Sequence, residues 1–192
     1  MQSENCFQKK LLVIFTTSYQ KQLIHFKSML MDFDVQTSTT DEISSYELER
    51  NKHIPSLNHG SIQANLIMEL TPFRKKYRIA SELSLDLSEW PSVPDISIYP
   101  KMDIDLKNDV IAMKEPPLGV IEILSPGQSL SDLTSKALGY FQHGVQSCWI
   151  VLPSLANIYV FSGPDDYAIF RTSETLHDEK LGISFPLEEV FK

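Results

Sequence analysis

The stretch Val120-Ile121-Glu122-Ile123-Leu124-Ser125-Pro126-Gly127 decides how this chain folds. Residues 120–124 are apolar on both faces apart from Glu122, the pattern of a central strand covered on both sides. With a period of two, Val120, Glu122 and Leu124 share one face while Ile121 and Ile123 share the other. Ser125-Pro126-Gly127 stops the strand. Ser131 to His143 then predicts a helix, with Asp132 in its first turn and Gly144 at the C′ position. Leu133, Lys136, Ala137 and Tyr140 fall at i, i+3, i+4 and i+7, the stripe that must face the sheet.

Working outward, Cys148 to Leu152 and Asn157 to Phe161 predict two strands joined by Pro153-Ser154-Leu155-Ala156. A short third strand, Tyr167 to Arg171, follows Gly163-Pro164. On the N-terminal side, Val93 to Tyr99 predicts a strand bounded by Pro94 and Pro100. The alternation of Ile79, Leu83, Leu85 and Leu87 predicts one strand over 78–87. Met102 to Pro117 is acidic and irregular, a loop with one turn of order at most. Asn58 to Leu70 carries Ile62, Leu66, Ile67 and Leu70 at helical spacing, with Asn58 or Ser61 available as the cap. Helix, strands, helix, strands indicates a mixed α/β (α+β) domain around one central sheet.

The 192 residues suit a single core of ordinary size, and 22% charged residues argue against a disordered chain. Glycine numbers only seven, none at P-loop or GxGxxG spacing, which argues against a glycine-rich phosphate cradle. Cys6 and Cys148 are too few for a zinc knuckle or a disulfide framework and read as reduced thiols. The apolar run Leu11 to Phe15 is too short for a membrane span or a signal peptide, so a cytoplasmic protein without a membrane partner is expected.

Residues 1–31 carry a net +3 and no sustained period, and 32–45 form an acidic, Ser/Thr-rich linker. We expect an atypical N-terminal extension there, either disordered or the product of a start assigned upstream of Met29 or Met31. The folded domain is expected over 46–192. Everything after residue 31 carries a net −11, which with the +3 makes the −8 total. Such a body does not attract nucleic acid at long range, so local cations would have to do it.

Three residues concentrate the chemistry. Glu122 on a covered strand is costly unless paired or protonated. Lys136 sits on the sheet-facing helix stripe and is its natural partner; a plain structural Lys–Glu pair is the alternative. Asp95 opens the neighbouring strand, and two carboxylates with a lysine can hold a hard divalent cation and a phosphate.

Val93-Pro94-Asp95-Ile96-Ser97-Ile98, the Ile-Glu-Ile-Leu-Ser-Pro run, Lys136 with Tyr140, Gly144-Val145 and Cys148-Trp149-Ile150-Val151 occur in the order that resembles the Uma-type family of the PD-(D/E)XK superfamily. Tyr46-Glu47-Leu48-Glu49 and His59 resemble that family's N-terminal segment, and the likeness runs from about residue 44 to 192. It implies a restriction-endonuclease-like central mixed sheet flanked by helices, with Asp95 and Glu122 holding Mg²⁺ or Mn²⁺. It also implies a phosphodiester hydrolase acting on nucleic acid, DNA first, with a homodimer admitted. Lys136 replaces the lysine that the parent superfamily would place at Leu124. Glu49, Glu82 and His59 are supporting candidates, although the two acids read equally as surface or strand-end residues and His59 as a capping group. The run Arg74-Lys75-Lys76-Tyr77-Arg78 reads as a phosphate contact or, more plainly, as a solvated helix terminus. The rival function is an interaction module of the same fold without turnover.

Overall fold

The computed structural model describes residues 55–192, so the expectations for 1–31, for 32–45 and for Glu49 lie outside the described residues. Helix α1 (Leu57–Glu69) is capped by Ser56, whose hydroxyl accepts from the His59 amide at 3.3 Å. The expected caps, Asn58 and Ser61, are instead inside the helix. The cap lies two residues before Asn58, the helix starts one residue earlier than expected, and His59 joins Ile62 and Leu66 on its buried stripe.

A 3₁₀ turn (Thr71–Lys75) leads to β1 (Tyr77–Ser81), β2 (Ser84–Leu87), β3 (Trp90–Ser92) and β4 (Ile96–Pro100). The single strand expected over 78–87 is thus two. The break falls at Glu82, which takes the left-handed conformation at φ 53°. After the loop and the two-residue β5 (Ala112–Met113) come β6 (Gly119–Ile123), α2 (Leu130–Gln142), β7 (Ser147–Leu152), β8 (Asn157–Gly163) and β9 (Asp166–Arg171). A hairpin of β10 (Thr175–Asp178) and β11 (Ile183–Pro186) follows.

These elements form a mixed α/β domain. The central sheet runs β1-β4-β6-β7-β8-β9. Only β6 and β7 are parallel, with Glu122 opposite Ile150; every other pair is antiparallel. The parallel pair requires a crossover, and α2 supplies it. β6 is buried at all five positions, as a strand covered on both faces must be.

Its two faces belong to different cores. Ile121 and Ile123 pack with Ile96, Ile98, Trp149 and Val151 beneath α1 and the β10–β11 hairpin. Val120 packs with Cys148, Ile150 and Tyr159 beneath Leu133, Ala137 and Tyr140 of α2. The small sheet β3-β2-β5 closes that second layer with Leu85 and Leu87. Asp178 ties the hairpin to the sheet, accepting from Ser147 Oγ at 2.6 Å and Trp149 Nε1 at 2.7 Å. Among the described residues no helix is long and apolar enough to cross a membrane.

α2 starts with a capping box, Ser129 and Asp132 each bonding the other's backbone amide. It ends before Gly144, whose φ of +93° favours glycine. Mid-helix, Gly139 makes room for Trp90: a Cβ there would stand 2.5 Å from the ring. Trp90 cannot easily yield, since it stacks on His143 at 4.8 Å and meets Tyr140 edge-on at 5.1 Å. Gly139→Ala gains about 1 kcal/mol of helix propensity against about 1–3 kcal/mol of overpacking. We expect a net loss of about 1 kcal/mol and altered tryptophan fluorescence in denaturant titration. A variant more stable than the parent would show that Trp90 moves freely.

Candidate active site

Two strand ends and two helices meet at one end of the central sheet. Asp95 directly precedes β4 and Glu122 lies near the C-terminal end of β6; because the strands are antiparallel, these positions are adjacent. Asp95 Oδ2 accepts the Ile123 amide at 2.6 Å, so the first carboxylate is fastened to the residue next to the second. Both side chains are buried, at 1% and 2% exposure.

Each acid is held from a different helix. On the α1 side, His59 Nε2 lies 3.1 Å from Asp95 Oδ2, and since a carboxylate only accepts, that nitrogen carries the proton. The other ring nitrogen, Nδ1, is buried with no hydrogen-bond partner among the described residues. On the α2 side, Lys136 Nζ lies 2.8 Å from Glu122 Oε1, and the Tyr140 hydroxyl donates to the same oxygen at 2.6 Å. Lys136 and Tyr140 are one turn apart and therefore reach the same point. Lys136 also donates to the Val93 carbonyl at 3.2 Å, and its side chain stays 27% exposed, so the ammonium bridges core and solvent.

The electrostatics follow from this packing. Burial pushes the Glu122 carboxyl above its usual range and the nearby Asp95 charge adds to the effect, against the pull of Lys136 and Tyr140. Burial, followed by the charge of Glu122, raises the Tyr140 hydroxyl well above its ordinary value, so it stays protonated and donating. The Cys148 thiol beneath it is raised for the same two reasons and remains a neutral core group.

Asp95, Glu122 and Lys136 are thus brought together, and His59 with them. Glu82 is adjacent: its amide donates to the Asp95 carbonyl at 3.1 Å, and Gln63 Nε2 bridges Glu82 Oε1 and that same carbonyl at 3.2 and 2.8 Å. Gln63 was not singled out from the sequence; its position one helical turn after His59 was the available signal. The basic run is elsewhere. Tyr77 pairs with Pro100, the far end of β4 from Asp95. Lys76 and Arg78 there donate to the Leu181 and Met102 carbonyls.

Two adjacent buried carboxylates, with the Asp95 charge raising the proton affinity of Glu122, form a donor pair that suits a hard cation better than it suits core packing. Among the described residues no three His, Cys, Asp or Glu side chains form a metal-holding group. A cation here would draw on two carboxylates and complete its shell with water or substrate, as Mg²⁺ commonly does.

A family described as "Uma2: Putative restriction endonuclease" matches residues 41–188, a span that includes every residue of this cluster. The chain belongs to the Uma2 family. Among solved structures, the Uma2 chain is similar to one described as a "putative nuclease belonging to DUF820" from Anabaena variabilis. The two are 22% identical with a TM-score of 0.62, over 72% of this chain and 83% of that one. That likeness shows the fold, a central mixed sheet flanked by helices. None of the curated proteins matches.

Proposed function

We propose that this Uma2 chain is a metal-dependent endonuclease that hydrolyses phosphodiester bonds of nucleic acid, DNA in the first place, in the cytoplasm. The observation that supports it most is the convergence of buried Asp95 and Glu122 with a lysine that reaches solvent. In this reading Asp95 and Glu122 hold Mg²⁺ or Mn²⁺. When bound, the metal supplies an activated water and neutralises charge on the scissile phosphate.

The remaining work falls to the chain's own side chains. His59 fixes the rotamer of Asp95 through its Nε2 proton. Tyr140 fixes Glu122 by donating to Oε1. Lys136 has three donors, of which two are engaged by Glu122 and the Val93 carbonyl. The third is available to a phosphate oxygen or to the attacking water, where a fixed positive charge stabilises the developing negative one. Glu82 and Gln63 hold the Asp95 backbone carbonyl in place from the β1–β2 break.

The test is a cleavage assay on plasmid, single-stranded DNA and RNA with Mg²⁺ or Mn²⁺, against a chelator control. We expect nicking or linearisation that requires metal and disappears in Asp95→Asn. Folded protein that cleaves none of these substrates with either metal would overturn the nuclease reading in favour of the interaction module.

A further inference from the structure

A second polar feature lies at the same end of the central sheet, and the nuclease site does not use it. Glu122 stands in a cross-strand row with Ile150, Tyr159 and Ile169. Two residues further toward that sheet end, Leu152, Asn157 and Arg171 form the next row. Directly opposed residues share a face, and so do residues two apart. Arg171 therefore projects from the face that carries Glu122 and Lys136, three strands away. At about 4.8 Å per strand and one row of offset, the separation is roughly 15 Å.

Around Arg171 the surface opens into a cleft of about 550 Å³ that crosses the sheet end: Ser173 and Glu174 line it from the turn after β9, Thr175 from the β10–β11 hairpin packed on the other face and Glu188 from just after that hairpin. The arginine is not locked. Its guanidinium is two-thirds exposed and 3.8 Å from Glu174, an exposed pair worth at most about 1 kcal/mol. Glu188 lies 3.1 Å from Lys192, an exposed lysine that it shares with Glu189 at 2.6 Å. The Glu174 carboxylate has a second task, accepting the Arg171 backbone amide at 2.7 Å to close the turn after β9.

We propose that this cleft is a phosphate subsite for the nucleic-acid strand, with Arg171 as its anion donor and Ser173 and Thr175 as hydroxyl partners. This rests on the nuclease reading above. A separation of roughly 15 Å corresponds to about four nucleotides of B-form rise, a span that one strand laid along the sheet end would cover. It also answers a difficulty raised by the acidic body: the basic run of 74–78 is at the wrong end of the sheet, whereas Arg171 is at the right one. An arginine fork suits a phosphate through two parallel hydrogen bonds.

The cleft makes two opposite predictions from neighbouring residues. Arg171→Gln removes the cation; Glu174→Gln removes the competing charge while its amide oxygen still accepts the Arg171 amide. Binding of short fluorescein-labelled DNA, single- and double-stranded, is measured by anisotropy with Ca²⁺ present over a range of salt. We expect Arg171→Gln to weaken binding by about 3–10-fold and to reduce the salt slope by about one phosphate contact, whereas Glu174→Gln tightens it. If the parent binds and Arg171→Gln leaves both affinity and slope unchanged, the subsite is overturned and the nuclease reading stands. If folded parent binds no nucleic acid at any salt, both are overturned.

Discussion

Glu122→Gln is expected to abolish metal-dependent cleavage and to lower Mn²⁺ affinity by at least about 100-fold, while leaving the fold intact. The magnitude follows from comparison: losing a group that merely orients a metal ligand already costs about 10–100-fold, and here the ligand itself loses its charge. The fold survives because both donors at this position, Lys136 and Tyr140, point at the same oxygen, Oε1. A glutamine placed with its carbonyl oxygen there keeps both bonds and adds no cavity, which alanine would. Stability then reports the electrostatics separately. The Glu122 carboxyl is raised above its usual range by burial and by Asp95, so the folded state binds its proton more tightly than the unfolded chain does. Folding stability from this group is therefore greatest below the ordinary carboxylate range and falls as pH rises through the raised value. Metal-free parent should lose stability across that window and the glutamine variant should not. At neutral pH the variant should be as stable as the parent or more so. Saturating Mn²⁺ reverses the order, since metal at 100 times its dissociation constant stabilises the parent alone by about 2.7 kcal/mol. Calorimetric titration and thermal unfolding with and without Mn²⁺ read both effects. Equal Mn²⁺ affinity in the two proteins would remove Glu122 from the metal site.

The parts of this site that were legible in the sequence are those where two periodicities met. Glu122 stood out because period two placed a charge on a strand with no exposed face, and Lys136 because period 3.6 placed another on a buried stripe. Each needed a partner and each was the other's nearest. His59 is less legible: the sequence places the cap at Asn58 or Ser61 rather than Ser56, and the apolar stripe from Ile62 to Leu70 does not mark His59 as its continuation one turn back. The β1–β2 break was hidden for a different reason. Ile79, Leu83, Leu85 and Leu87 keep their parity through Glu82, and a non-glycine residue in the left-handed region leaves no mark in the sequence. The break matters, since it diverts β2 into the small sheet and leaves Glu82 beside Asp95. Asp178 was missed because its partners, Ser147 and Trp149, are some thirty positions away and in another element.

Lys136→Met should separate catalysis from architecture. Methionine keeps the apolar stem packed against α2's neighbours and removes only the charge, so any loss belongs to the ammonium. If that charge acts on the water or the developing phosphorane, cleavage falls by about 10²–10³-fold, the usual consequence of removing one fixed stabiliser of transition-state charge. Mn²⁺ affinity should fall far less than in Glu122→Gln, because Asp95 and Glu122 both remain. Stability should fall too, and with a definite pH signature. Without Lys136 the Glu122 carboxyl rises further, so the deficit is small in acid, where the carboxyl is protonated in both states, and grows toward neutral pH. A fully buried pair would lose about 3–5 kcal/mol on such a truncation. The lysine's 27% exposure places the expected loss below that range. The two roles therefore part company under saturating metal. A bound cation compensates Glu122 and restores stability, whereas it cannot restore a donor at the phosphate. Single-turnover cleavage at saturating Mn²⁺, run beside thermal unfolding in the same buffer, reads both. Recovered stability with cleavage still depressed assigns Lys136 to the reaction; cleavage equal to the parent's once the fold is restored would leave it a structural partner of Glu122 and nothing more.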